Sequence, residues 1–123
     1  SDIVNNRDIM MKSDGSAVRP FCYISDATVA FFLILLNGAD GEAYNVSNND
    51  CSVSIKELAD ILVSIIPEKK LQVIHVEREV NENYIENKKA NRLQVDVTKL
   101  KMLGWKPEYS IYEGFKRTIE SFI

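Results

Sequence analysis

The sequence predicts an α/β fold, a small mixed sheet flanked by about four helices, and three observations carry that expectation. Short apolar stretches bounded by turn residues recur at residues 8–12, 21–24, 42–46 and 71–76. Helical patterns at 25–37 and 54–66 alternate with them, and further helices follow at 98–103 and 110–123. Two of those helices open on Ser-x-x-Glu, Ser54 with Glu57 and Ser110 with Glu113, the spacing of a capping box. Strands alternating with helices point to a mixed layer architecture rather than a bundle or a sandwich.

Residues 8–12 (DIMMK) form the first strand candidate, closed by the Asp14-Gly15 turn. Arg19 precedes Pro20, whose ring pushes its predecessor out of the helical region, so Arg19 belongs to an extended segment. Residues 21–24 then read as a short buried strand, with Ser25 and Asp26 as helix N-cap candidates. The helix over 25–37 is apolar on most faces and should be covered on several sides. Asn37 and Gly38 end it, with glycine at the position that favours left-handed geometry. Asp40-Gly41 turns the chain into a third strand at 42–46, and a polar loop follows at 47–52.

The helix that begins at Ser54 shows Ile55, Leu58, Ala59, Leu62 and Ile66 at helical spacing and breaks at Pro67. Residues 71–76 (LQVIHV) alternate like a half-buried strand. His75, the one histidine, has no partner base or nucleophile nearby in sequence, and reads as structural. Residues 77–91 are charged, rich in asparagine and without hydrophobic period, an uncommon length for a structureless loop. Residues 93–95 suit a brief strand, Asp96 and Thr98 can cap a short helix that stops at Gly104, and Trp105 should fill the space between that helix and the last one. The closing helix runs to Ile123 with Ile111, Phe115, Ile119 and Phe122 inward.

With 123 residues, of which 46% are hydrophobic, the chain reads as one domain over 1–123 with a modest core. A formal charge of −3 argues against a nucleic-acid or anionic-membrane surface. The apolar run at 29–36 falls far short of the roughly 20 residues of a membrane span. Cys22 and Cys51 have neither metal-ligand spacing nor a disulfide framework around them, so a reduced, cytoplasmic setting is expected. Arg19 has two readings. Its planar guanidinium, at the start of a strand and near a helix N-terminus, suits a phosphate; the alternative is a surface ion pair.

Residues 19–26 (RPFCYISD) resemble the R-x-F-x-Y-[VI]-x-D signature of the extended short-chain dehydrogenase/reductases, the NAD-dependent sugar-nucleotide epimerases and dehydratases. Ala43-Tyr44-Asn45-Val46, Ser54-Ile55-Lys56-Glu57-Leu58, Asp96-Val97-Thr98-Lys99-Leu100 and Leu103-Gly104-Trp105-Lys106-Pro107 follow in that family's order, and Ser110–Phe115 resembles the start of its closing helix. Each motif alone is weak, but the ordered set is specific. The resemblance spans nearly the whole chain yet only the C-terminal, substrate-binding part of such an enzyme, which makes the sequence a piece of a longer protein without the dinucleotide-binding half.

Several expectations follow from the resemblance. Arg19 approaches the diphosphate of a nucleotide sugar, and either Arg78 or Arg92 supplies the other side of the clamp. Phe21 lines the nucleotide pocket, and Asn45 is either a pocket residue or a structural hydrogen-bonder. Asp26 and Asp96 are read as caps rather than ligands. NAD(P) serves the parent enzyme, in isomerase or lyase chemistry of the kind that feeds polysaccharide synthesis, and the expected partners are the nucleotide sugar, the missing Rossmann half and further copies of the chain. This chain alone is not expected to bind the cofactor, because its five glycines make no G-x-x-G-x-x-G. Tyr84 with Lys88 and Tyr112 with Lys116 match Tyr-x-x-x-Lys, but neither follows a nucleotide-binding half and neither is taken as catalytic. A different reading stays open, a non-catalytic binding or assembly module that keeps this fold.

Overall fold

A computed structural model describes residues 2–77 and 94–123. The architecture is α/β, with four α-helices and four short strands among the described residues. The strands form two separate two-stranded ladders rather than one sheet. β1 (Ile9–Met11) pairs parallel with β4 (Val73–His75), placing Ile9 opposite Val73 and Met11 opposite His75. β2 (Val18–Pro20) pairs antiparallel with β3 (Ser52–Ser54), placing Arg19 opposite Val53.

The β2–β3 ladder departs from the sequence reading in two ways. The strand begins before Phe21 and ends at Pro20, while Phe21–Tyr23 form the approach to α1 (Ile24–Asn37). Its partner lies where only a polar loop was expected: a 3₁₀ turn at Asn49–Cys51 leads straight into β3. Residues 42–46, expected as a strand, have no ladder partner among the described residues. Of the segment at 93–95, residues 94 and 95 are irregular and Leu93 lies outside the described residues, as does most of the loop at 77–91.

Local chemistry explains the helix starts. In α2 (Ile55–Ile65) the Ser54 hydroxyl accepts the Glu57 backbone N–H at 3.1 Å, and the Glu57 carboxylate accepts the Ser54 N–H at 2.7 Å. In α4 (Ile111–Glu120) Ser110 and Glu113 repeat the pattern at 3.2 and 3.1 Å. α1 has no such device. Tyr23 stands at its N-cap without a side-chain bond, and Ser25 and Asp26, expected as caps, lie inside its first turn. At the other end Gly38 is extended (φ −69°) rather than left-handed, so its role is space: a Cβ would sit 2.4 Å from the Ile34 carbonyl oxygen. Gly15 carries the positive φ (+70°) that its turn needs, and a Cβ there would strike Lys56 at 2.8 Å.

Two small cores hold these elements together. Ile3, Ile65 and Ile119 join α2, α4 and the N-terminal segment, with Ile9, Leu62 and Phe115 packed around them. Ala30, Leu100 and Trp105 join α1 to α3 (Thr98–Met102), with Leu33, Ile34 and Val46 against them. Trp105 therefore fills the space beside α1, not the space between α3 and the last helix. The reason is polar as well as apolar: its indole N–H donates to the Asp26 carbonyl at 2.9 Å. α4 stops at Glu120, and Phe122, expected inward, is exposed.

Candidate substrate-binding site

The β2–α1 junction and the first turns of α4 enclose a cleft of about 250 Å³. Phe21 and Tyr23 line it opposite Phe115 and Tyr109, and Cys51, from the 3₁₀ turn, also belongs to the lining. The aromatic pairs set the spacing. Phe21 meets Phe115 edge-on at 5.8 Å between ring centroids, and Tyr23 tilts against Tyr109 at 4.8 Å. On Tyr109 lies the Arg117 guanidinium, 4.8 Å from the ring centre. Gly114 makes the close approach possible, since a Cβ there would lie 3.1 Å from the Tyr23 ring.

Asp26 fixes this geometry from beneath. It is 4% exposed, and its two carboxylate oxygens accept the backbone N–H groups of Glu108 and Tyr109 at 3.1 and 3.2 Å. With the Trp105 bond to its carbonyl, the first turn of α1 is tied to residues 105–109 at three points. The residue read as a helix cap is instead a long-range clamp that carries Tyr109 to its place in the cleft.

The lining is mainly aromatic and aliphatic, with the Ser110 and Thr118 side chains among it. No carboxylate, histidine or lysine lines the cleft among the described residues. Burial pushes the Cys22 and Cys51 thiols above their ordinary value, so both stay protonated at neutral pH. Cys51 is further held by the Asn48 amide, which donates to its sulfur at 3.2 Å, and it donates to the Tyr109 carbonyl at 3.7 Å. Neither thiol is poised as a nucleophile.

The predicted site residues are distributed unevenly over this arrangement. Phe21 lines the cleft. Arg19, two residues upstream, is exposed on β2, where its guanidinium donates to the Val18 carbonyl at 2.8 Å. No carboxylate lies within ion-pair distance of it among the described residues. Asn45 lies outside the cleft lining and donates its amide to the Asp96 carbonyl at 2.9 Å. Asp96 itself accepts the Thr98 N–H at 2.9 Å and so supports the start of α3. Arg78 and Arg92 lie outside the described residues, as do Tyr84 and Lys88. Tyr112 is exposed on α4 and lines no part of the cleft. Sequence reading missed Tyr109 and Cys51 as cleft residues; the aromatic next to the Ser110 capping box was the one local signal for the first, and no pattern marked the second.

A cofactor fit can be tested on the glycines, all of which are described. Gly15, Gly41 and Gly104 occupy positive-φ positions, Gly38 ends α1, and Gly114 packs inside α4. None opens a helix directly after a strand, so these residues do not make a dinucleotide-binding turn.

Comparison with known proteins places this geometry in context. The family described as GDP-mannose 4,6 dehydratase matches residues 2–118. The dTDP-D-glucose 4,6-dehydratase of Bos taurus is 32% identical over 118 residues, covering 94% of this chain and 32% of that protein. A glycan biosynthesis protein of Haloferax volcanii, Agl12, is 27% identical over 119 residues, 36% of its length. Among solved structures, the Thermotoga maritima UDP-glucose 4-epimerase with UDP-glucose superposes with a TM-score of 0.75 at 25% identity, over 97% of this chain and 36% of that one. The Bacillus anthracis dTDP-glucose 4,6-dehydratase in complex with NAD, at 19% identity, shares the fold with a TM-score of 0.74 over 97% of this chain and 35% of that one. The chain thus spans about a third of the length of the relatives it matches. Among its described residues no helix is long and apolar enough to cross a membrane. With the family match running over nearly its whole length, the chain belongs to the GDP-mannose 4,6-dehydratase family of NAD-dependent sugar-nucleotide epimerases and dehydratases.

Proposed function

We propose that this chain is the substrate-binding portion of a sugar-nucleotide dehydratase or epimerase, and that it grips the diphosphate of a nucleotide sugar. The observation that carries the reading is Arg19. It opens the RPFCYISD signature, stands exposed on a short ladder, and has no carboxylate partner among the described residues. A guanidinium in that setting is available to an anion, and its paired N–H groups match paired phosphate oxygens. Phe21 supports it as part of the aromatic wall two residues on. Arg78 or Arg92 supplies the second cation of the clamp, while Asn45, outside the cleft lining, ties its segment to the Asp96 carbonyl.

In the whole enzyme NAD(P) would supply the hydride acceptor for a transient oxidation of the sugar. The glycines of this chain make no dinucleotide-binding turn, and on this reading the chain's part is to bind and orient the substrate.

The test is Arg19→Lys in the protein that carries this segment, titrated with dTDP-glucose, UDP-glucose and GDP-mannose. Lysine keeps the charge and loses the planar fork. Losing one charge-assisted bond to phosphate weakens binding by about 1.5–3 kcal/mol, or roughly tenfold to a hundredfold. The thermal midpoint should barely move, because the side chain is exposed. Unchanged affinity for all three ligands with a large fall in midpoint would make Arg19 a structural residue and remove the assignment.

A further inference from the structure

We propose that Asn49 is a positioning residue for sugar-nucleotide binding, which holds the backbone three positions after Arg92 and so sets Arg92 as the second cation of the clamp. This inference rests on the diphosphate reading above and commits it to Arg92 rather than Arg78.

The backbone before α3 is held by side chains. Among the described residues no backbone–backbone hydrogen bond engages 94–96. Val95 instead has both of its backbone groups taken by one amide. Asn49 Nδ2 donates to the Val95 carbonyl at 2.8 Å, and the Val95 N–H donates to Asn49 Oδ1 at 3.2 Å. Val95 is half-buried, where unpaired backbone groups are unfavourable, and the asparagine takes the place of a neighbouring strand. One residue on, the Asn45 amide donates to the Asp96 carbonyl at 2.9 Å. Asp96 then supports α3 through the Thr98 N–H, and Val97 is buried. Asn49 is therefore the tether nearest in sequence to Arg92 among the described residues, acting three positions after it.

Asn49 is itself fixed, as a positioning role requires. It opens the 3₁₀ turn Asn49–Cys51, and the buried Ser47 hydroxyl donates to its Oδ1 at 3.4 Å. The Asn48 side chain caps the same turn by accepting the Asp50 N–H at 3.2 Å, and it donates to the sulfur of Cys51, a cleft residue. The turn runs directly into β3, where Val53 stands opposite Arg19. Residues 49–53 thus join the ladder that carries Arg19 to the backbone that follows Arg92. Arg78 has no such link: it follows β4, which belongs to the other ladder.

This coupling matters because a guanidinium grips paired oxygens only when its fork is aimed. The backbone behind the side chain then counts as much as its charge. An irregular segment has no ladder to hold it, and the Asn49 amide supplies that hold.

The experiment is a double-mutant cycle in the full-length protein that carries this segment, titrated by calorimetry with dTDP-glucose, UDP-glucose and GDP-mannose. Asn49→Ala should weaken binding of the nucleotide sugar by about tenfold, the scale of one charge-assisted bond lost. In an Arg92→Ala background the same substitution should change affinity by less than about twofold, because no guanidinium is left to position. Asn49→Asp serves if the alanine variant fails to fold. It keeps the acceptor for the Val95 N–H, sets an oxygen against the Val95 carbonyl, and is expected to give the same cycle. A merely structural tether would lower the thermal midpoint and weaken binding equally in both backgrounds. That result, or unchanged affinity on substituting Asn49, overturns the proposal. The two readings fail separately. If Arg19→Lys weakens binding and Arg92→Ala does not, the positioning role falls and the diphosphate grip stands; if neither weakens it, the grip falls as well.

Discussion

Arg19 and Asp26 sit on one short stretch and meet opposite surroundings. Arg19 is exposed and donates to its neighbour's carbonyl, whereas Asp26 is buried and accepts from two backbone N–H groups more than eighty positions further along. The extended setting of the first was legible, because Pro20 disfavours the helical region for the residue before it. The second was not, because Ser25-Asp26 before an apolar run looks like a cap and nothing local reveals partners so distant. Replacing Asp26 by asparagine keeps the shape but sets an amide N–H against a backbone N–H. Each lost bond to a buried charged group is worth about 1.5–3 kcal/mol, so Asp26→Asn should lower unfolding stability by about that amount. Denaturant titration checks this; a change under about 0.5 kcal/mol, the scale of an ordinary surface substitution, would mean that the clamp is dispensable.

The Ser-x-x-Glu boxes and the strands β1 and β4 matched their sequence patterns, whereas the caps expected for α1 and the strands expected at 21–24 and 42–46 did not form as read. Both capping boxes formed as spaced, because Ser and Glu reach each other within one helical turn. Strand β3 escaped notice because a three-residue strand of Ser-Val-Ser owes its existence to pairing with β2, not to its own pattern. The Ser110–Glu113 box also sets a pH dependence. The Ser110 hydroxyl and then its backbone N–H, both donating to Glu113, hold that carboxyl below its ordinary value of 4.5. A depressed folded-state value means the contribution is present above the ordinary glutamate range and is lost as pH falls through the folded value. The midpoint of the wild type should therefore decline more steeply below pH 4.5 than that of Glu113→Gln. Parallel acid profiles would show that the box adds nothing. At neutral pH, Ser54→Ala should cost about 1 kcal/mol through the loss of its cap.

At the scale of the whole molecule, the fold class was legible from the alternation of strand and helix patterns, while the sheet's division into two ladders was not. The pairing of β1 with β4 spans most of the chain, and no local period encodes such a contact. The apolar character of α1 was also plain, but the cover expected on several sides is not found among the described residues, where Phe31, Phe32, Leu35 and Leu36 are exposed. Without a partner, that face should drive the purified chain to associate at high concentration. Phe31→Ser with Leu35→Ser should shift sedimentation toward monomer and leave the thermal midpoint nearly unchanged, whereas a wild type monomeric throughout would contradict this. The central claim is that this part of the fold serves the substrate and leaves the dinucleotide to another. Calorimetric titration of the 123-residue chain with NAD and NADH tests it most directly. No saturable heat is expected with either, because no glycine-rich turn follows a strand here; saturable binding in the micromolar range would overturn that reading.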